Sequence, residues 1–120
     1  MKSWTKLVAA LPALLTISAA TCDSARLAHI AYEAQDDLVG RSEASIRSCA
    51  GEPVREQKRG HWLYLTYAVK PEDKSGPPTC VASFKLRHGI VEVLEYADHT
   101  GGIVRKRGDC GIIIEPCMLD

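Results

Sequence analysis

The 120 residues include 46% apolar and 25% charged side chains, with fifteen Lys and Arg balanced by fifteen Asp and Glu. That length leaves room for one domain and not for a second core, and the apolar content excludes a disordered chain. With Lys2 and Lys6 assigned to a leader, 13 basic residues face 15 acidic ones, a net charge of −2 that points away from nucleic acid.

The N-terminus reads as an export signal over residues 1–20, followed by a single α+β domain over 21–120. Lys2 and Lys6 form a basic start, Leu7 to Ile17 is apolar, and Ser18-Ala19-Ala20 supplies small residues at the cleavage positions. The apolar stretch contains Pro12 and is shorter than the roughly 20 residues that cross hydrocarbon, so an anchor helix is disfavoured. Cys22 then has two readings. It is a candidate lipid-attachment cysteine, or cleavage after Ala20 leaves it near a free N-terminus. As a lipid cysteine it would be followed by Asp23, which resembles the inner-membrane retention signal of enteric lipoproteins. Setting Cys22 aside leaves an even set, Cys49, Cys80, Cys110 and Cys117.

In the domain, Leu27, Ile30, Ala31, Ala34 and Leu38 recur at helical spacing, predicting a first helix over about 23–38. Gly40 suits its end, Ser42 caps a second short helix carrying Ile46 and Cys49 inward, and Gly51 and Pro53 stop that helix. Glu52 to Gly60 reads as a polar loop. His61 to Val69 is a first strand, rich in aromatic and β-favouring residues. The breaker Lys70 to Pro78 leads to a second strand, Cys80 to Arg87, where Cys80, Ala82, Phe84 and Leu86 alternate with Val81, Ser83, Lys85 and Arg87. His88-Gly89 turns the chain into a third strand, Ile90 to Tyr96, completing an antiparallel meander. For Cys110 to Cys117 a helical turn and a short strand both fit. The expected architecture is two N-terminal helices packed on a three-stranded sheet, with a short disulfide-tethered C-terminal segment.

The chemistry is dominated by cysteine. In an oxidising compartment each bridge stabilises a small domain by about 2 to 4 kcal/mol. Four cysteines permit three pairings. Cys110 and Cys117 would lie about 10 Å apart on one helix, too far to bond, and the pairing taken up here joins Cys49 and Cys80 each to a tail cysteine. There is no C-x-x-C, no ligand-like spacing among His29, His61, His88 and His99, and no G-x-S-x-G elbow. No cofactor, metal site or catalytic residue is therefore assigned, and an enzyme is not expected. Candidate binding residues are Trp62, Tyr64 and Tyr67, which make the first strand apolar on both faces, and the basic run Arg105-Lys106-Arg107. Arg55 with Lys58-Arg59 forms a second basic cluster; both clusters suit anionic headgroups or an acidic partner, and solubility is the simpler explanation of each.

Gly40, Ser42, Glu43, Ile46, Gly51, Pro53, Trp62 and Tyr64 fall in an order that resembles the BamE (SmpA/OmlA) family of small bacterial envelope lipoproteins. The resemblance covers residues 38–96. It implies two helices against a three-stranded antiparallel sheet, the fold also seen in β-lactamase inhibitor proteins, and a noncatalytic protein facing the periplasm. The four body cysteines and the C-terminal segment depart from that pattern. The functional expectation is an interaction or assembly module with envelope protein partners and a membrane contact through a lipid anchor. A secreted inhibitor-like binder, engaging an enzyme through loops such as Glu52 to Gly60, is the alternative.

Overall fold

The computed structural model describes residues 17–71 and 75–119, and of residues 17–22 the backbone only. The leader pattern over residues 1–16 and the side chain of Cys22 lie outside what is described.

Helix α1 (Ile17–Asp37) is longer than its apolar stripe predicts, beginning before the small residues Ser18 to Ala20. No Gly or Pro interrupts this segment, so backbone propensity carries the helix beyond the residues that need burial. Ala31 and Ala34 face the core, as does Leu38 just past the helix end. Helix α2 (Glu43–Ala50) starts as expected at Ser42, whose hydroxyl accepts from the Ser45 amide at 3.1 Å, and it buries Ile46.

The sheet has four strands rather than three, in the order β1-β2-β3-β4 with every neighbour antiparallel. The additional strand is β1 (Arg55–Arg59), from the segment read as a polar loop, and each of its five residues is exposed. Gly60, at φ 63°, and His61 form the two-residue turn into β2 (Trp62–Val69). Strands β3 (Cys80–Arg87) and β4 (Ile90–Ala97) are joined at His88-Gly89, where both residues have positive φ as a type I′ turn requires. A bulge between Lys85 and Leu86 shifts the β3–β4 register.

The tail is helical. Helix α3 (Arg107–Ile114) continues into a 3-10 turn (Glu115–Met118), and Cys110, Ile114 and Cys117 are fully buried. Gly111 explains how α3 lies against α1: a Cβ placed there would sit 2.2 Å from the Leu27 carbonyl oxygen. Only a residue without a side chain permits that backbone approach.

Both disulfides end in this tail. Cys49–Cys117 ties it to α2 with Cα atoms 4.9 Å apart, and Cys80–Cys110 ties it to the start of β3 with Cα atoms 5.4 Å apart. Each of Cys49 and Cys80 thus pairs with a tail cysteine, as the sequence reading has it. Beneath them Phe84, Leu65, Leu86, Leu38, Ile46 and Ile114 form one core. Tyr67 meets Phe84 edge-on, with ring centroids 5.7 Å apart.

Polar groups tie the helical layer to the sheet. The Tyr96 hydroxyl donates to the Ala31 carbonyl at 2.7 Å, and Gln35 Nε2 donates to the Leu94 carbonyl at 3.0 Å. Along β4, the Gly40 amide donates to the Val91 carbonyl and the Val91 amide to the Arg41 carbonyl, both at 2.9 Å. The α1–α2 connection therefore covers part of the β4 edge, whereas β1 protects the opposite edge by its charged sequence. Arg47 anchors β1 to α2 by bonding Glu43 at 3.0 Å, Glu52 at 3.0 Å and Glu56 at 2.6 Å.

Candidate functional site

Strand alternation divides β2 between two environments. Leu65 and Tyr67 point into the core beneath the helices, whereas Trp62, Tyr64 and Thr66 are only partly buried on the outer face. The register brings Arg87, Lys85 and Ser83 of β3 opposite these three residues on one side, and Arg59, Gln57 and Arg55 of β1 on the other. The outer face therefore carries a central aromatic row between two rows containing cations. Neighbouring strands are about 4.8 Å apart, so the flanking rows are separated by roughly 10 Å.

The cations rest on the rings. Lys85 Nζ lies 4.1 Å from the Trp62 ring centroid and the Arg87 guanidinium carbon 4.9 Å from it. Arg59 and Lys85 each stand 5.9 Å from the Tyr64 ring. These separations fall within the range in which a ring quadrupole attracts a cation. Among the described residues, Arg87 has a carboxylate within ion-pair distance, Glu92 at 3.9 Å, while Arg55, Arg59 and Lys85 have none. The exposed Arg87–Glu92 pair is worth about 0–1 kcal/mol, and Glu95 of β4, opposite Ser83, is a second exposed carboxylate beside the face, so the positive character lies over β1, β2 and β3.

The arginines of the helical side differ. Arg26 bonds Glu115 at 2.6 Å and Asp23 at 3.0 Å, and these carboxylates hold its guanidinium pKa above the usual value. Arg47, with its three glutamates, is shifted upward as well, its bond to Glu56 being the main cause. Burial raises the Tyr67 and Tyr96 hydroxyls, each of which donates to a backbone carbonyl.

The residues singled out from sequence therefore do not form one site. Trp62 and Tyr64 belong to the outer face. Tyr67 is 4% exposed on the inner face and its hydroxyl donates to the Gly51 carbonyl at 2.8 Å, so it serves the core. Arg105, Lys106 and Arg107 are exposed, but Arg105 and Lys106 border an open depression with Pro71, Pro77, Pro78 and His99, near the Val69 and Thr79 end of the sheet. Trp62 lies at the other end of β2, about 23 Å away by strand rise.

His61 and His88 flank Trp62 and Arg87 with ring centroids 6.3 Å apart, and His29 approaches Glu33 at 3.5 Å. Among the described residues no group of three or more His, Cys, Asp or Glu side chains gathers into a metal-binding arrangement. No described helix is long and apolar enough to cross a membrane.

The sequence alone does not mark Lys85 and Arg87 as site residues, although the alternation of β3 puts them on its wet face. What was missing was the register that sets them against Trp62 and Tyr64. Arg55 and Arg59 were visible as charges, but in a segment read as a loop they had no face. The chain matches no protein-family model, no curated protein and no solved structure at a significant level.

Proposed function

We propose that this chain is a noncatalytic interaction module of the bacterial cell envelope whose working surface is the outer face of the sheet. The observation that carries this reading is the aromatic–cation array of Trp62, Tyr64, Arg59, Lys85 and Arg87 on the side of the sheet away from the described helices. A protein that only needed to fold could leave that face plainly polar, because the core is already closed by the helical layer. Partly exposed Trp and Tyr with Arg are the residues that anchor protein interfaces.

Export is supported by the leader pattern of residues 1–20 and by the two disulfides, which suit an oxidising compartment. Cys22 is the proposed attachment point for a lipid, and the order Gly40, Ser42, Glu43, Ile46, Gly51, Pro53, Trp62, Tyr64 supports kinship with BamE-like envelope lipoproteins. The inhibitor-like alternative relied on residues 52–60 as a free loop. Since Arg55–Arg59 are paired in the sheet, that reading has less to stand on.

Two measurements test the proposal. Intact mass of the protein from its native membrane should show a chain starting at Cys22 with acyl mass, and a soluble chain starting at Thr21 would remove the anchor. A photo-crosslinking residue at Ser83 should trap an envelope protein in cells, and one at Glu33 should not. Trapping from Glu33 alone would place the working surface on the helices and overturn the assignment.

A further inference from the structure

The outer face also indicates the chemistry of its partner, an inference that rests on the face being the working surface. The chain balances fifteen basic with fifteen acidic residues; Glu92 and Glu95 of β4 stand beside the outer face, but the three rows over β1, β2 and β3 together carry cations and no carboxylate, and several other acids are engaged away from them. Glu43, Glu52 and Glu56 converge on Arg47, and Asp23 and Glu115 on Arg26. Asp98 accepts from the Thr100 hydroxyl and the Gly102 amide within its own turn. On the outer face, by contrast, Arg59 and Lys85 lie over aromatic rings with no carboxylate within ion-pair distance among the described residues, and Arg87 shares Trp62 with a 3.9 Å approach to Glu92. Donors gathered in this way on one face meet an arriving anion together, and charge complementarity favours its approach.

We infer that the outer face receives an extended acidic segment of a partner protein, lying along β2 with carboxylates on both sides of an aromatic side chain. The geometry sets each part of this ligand. Rows roughly 10 Å apart leave the width of one extended chain between them. Carboxylates on one side of that chain meet Arg55 and Arg59 of β1, and those on the other meet Lys85 and Arg87 of β3. The aromatic side chain packs on Trp62 and Tyr64 as the cation heads over the rings turn toward the carboxylates. A bilayer is a poorer fit, because α1, the helix that contains Cys22, lies on the opposite side of the sheet. An anchor at Cys22 would not press the outer face onto the membrane that holds it.

The test uses the full mature chain with its disulfides intact. Amide and indole resonances are followed by NMR against four probes: a short Glu/Asp-rich peptide with one central Phe, its Phe→Ala counterpart, phosphatidylglycerol vesicles and a thymidine oligonucleotide. The Phe peptide is expected to shift Trp62, Tyr64 and Lys85 saturably. Its affinity should fall at least about tenfold in the R59E/K85E variant, while Lys85→Arg retains binding. Loss of the peptide's Phe should weaken binding by about fivefold.

Unchanged circular dichroism of R59E/K85E excludes misfolding as the cause of lost binding. Peptide affinity that is indifferent to R59E/K85E would overturn the inference, as would vesicle or oligonucleotide binding through these residues without peptide binding. If the Ser83 crosslink in cells joins a partner segment lacking acidic residues, the working surface stands and the acidic ligand falls. If every probe shifts only residues on the helices, both fall.

Discussion

The two faces of the sheet are built from alternate residues of the same strands, and they are held by different forces. The inner face is closed by close packing, two disulfides and tyrosine-to-carbonyl bonds that tie helices to strands. The outer face is open, and its order comes from cations resting on Trp62 and Tyr64. Close packing on one side and the cation–ring array on the other are separated by the pleat of a single sheet. Substitutions one residue apart in β2 should therefore differ in kind.

The largest expected effect is on the inner side. Replacing Cys80 and Cys110 together by Ser should destabilise the domain by about 2 to 4 kcal/mol, seen as a lower denaturation midpoint, because the bridge closes a chain separation of 30 residues. A midpoint equal to that of the native chain would show that the tail docks without its staple. Gly111→Ala should follow at about 1 to 3 kcal/mol, since the added methyl meets the Leu27 backbone and α3 must move away from α1. Thermal melts with amide exchange on α3 would report it. If Ala at 111 is neutral, the close helix contact does not hold in solution.

The paired comparison within β2 is smaller and sharper. Tyr67→Phe removes the donor to the Gly51 carbonyl and should cost about 1 kcal/mol. Tyr64→Phe, on the outer face, should stay within about 0.5 kcal/mol. Equal losses would mean that the two faces are not energetically distinct.

The smallest effect concerns pH. The Thr100 hydroxyl and the Gly102 and Thr100 amides hold the Asp98 carboxyl below its ordinary value of 3.8. A group depressed in this way contributes fully above the unfolded value and loses its contribution as pH falls through the folded one. Exchange protection in the 98–102 turn should therefore persist at pH 5 and be lost only below about pH 4, and Asp98→Asn should remove that dependence. Protection already lost above pH 5 would contradict the assigned bonds.

Much of the inner half could be read from sequence, because its signals are local or periodic. Ser42 is a cap three residues before Ser45, Cys80 to Leu86 alternates at every second position, and His88-Gly89 fits a two-residue turn. The tail was undecided because eight residues with three consecutive isoleucines have no period that separates helix from strand. Packing on α1 through Gly111 decides it. Strand β1 was missed for the opposite reason: Arg-Glu-Gln-Lys-Arg has no apolar face, and its pairing depends on the Gly60 turn and on Arg47 reaching Glu56. The candidate site was only half legible for the same cause. Trp62 and Tyr64 stand out in composition, but the cations that complete the face come from strands whose register no local pattern reveals.

The most direct test of the separation is to measure the R59E/K85E variant twice, once for its melting midpoint and once for partner capture by a photo-crosslinker at Ser83. Separation of the two faces predicts a midpoint within about 2 °C of the native chain together with loss of capture, because both residues lie on the face that does not close the core. Capture that persists unchanged, or that falls only in step with a collapse of the midpoint, would contradict it.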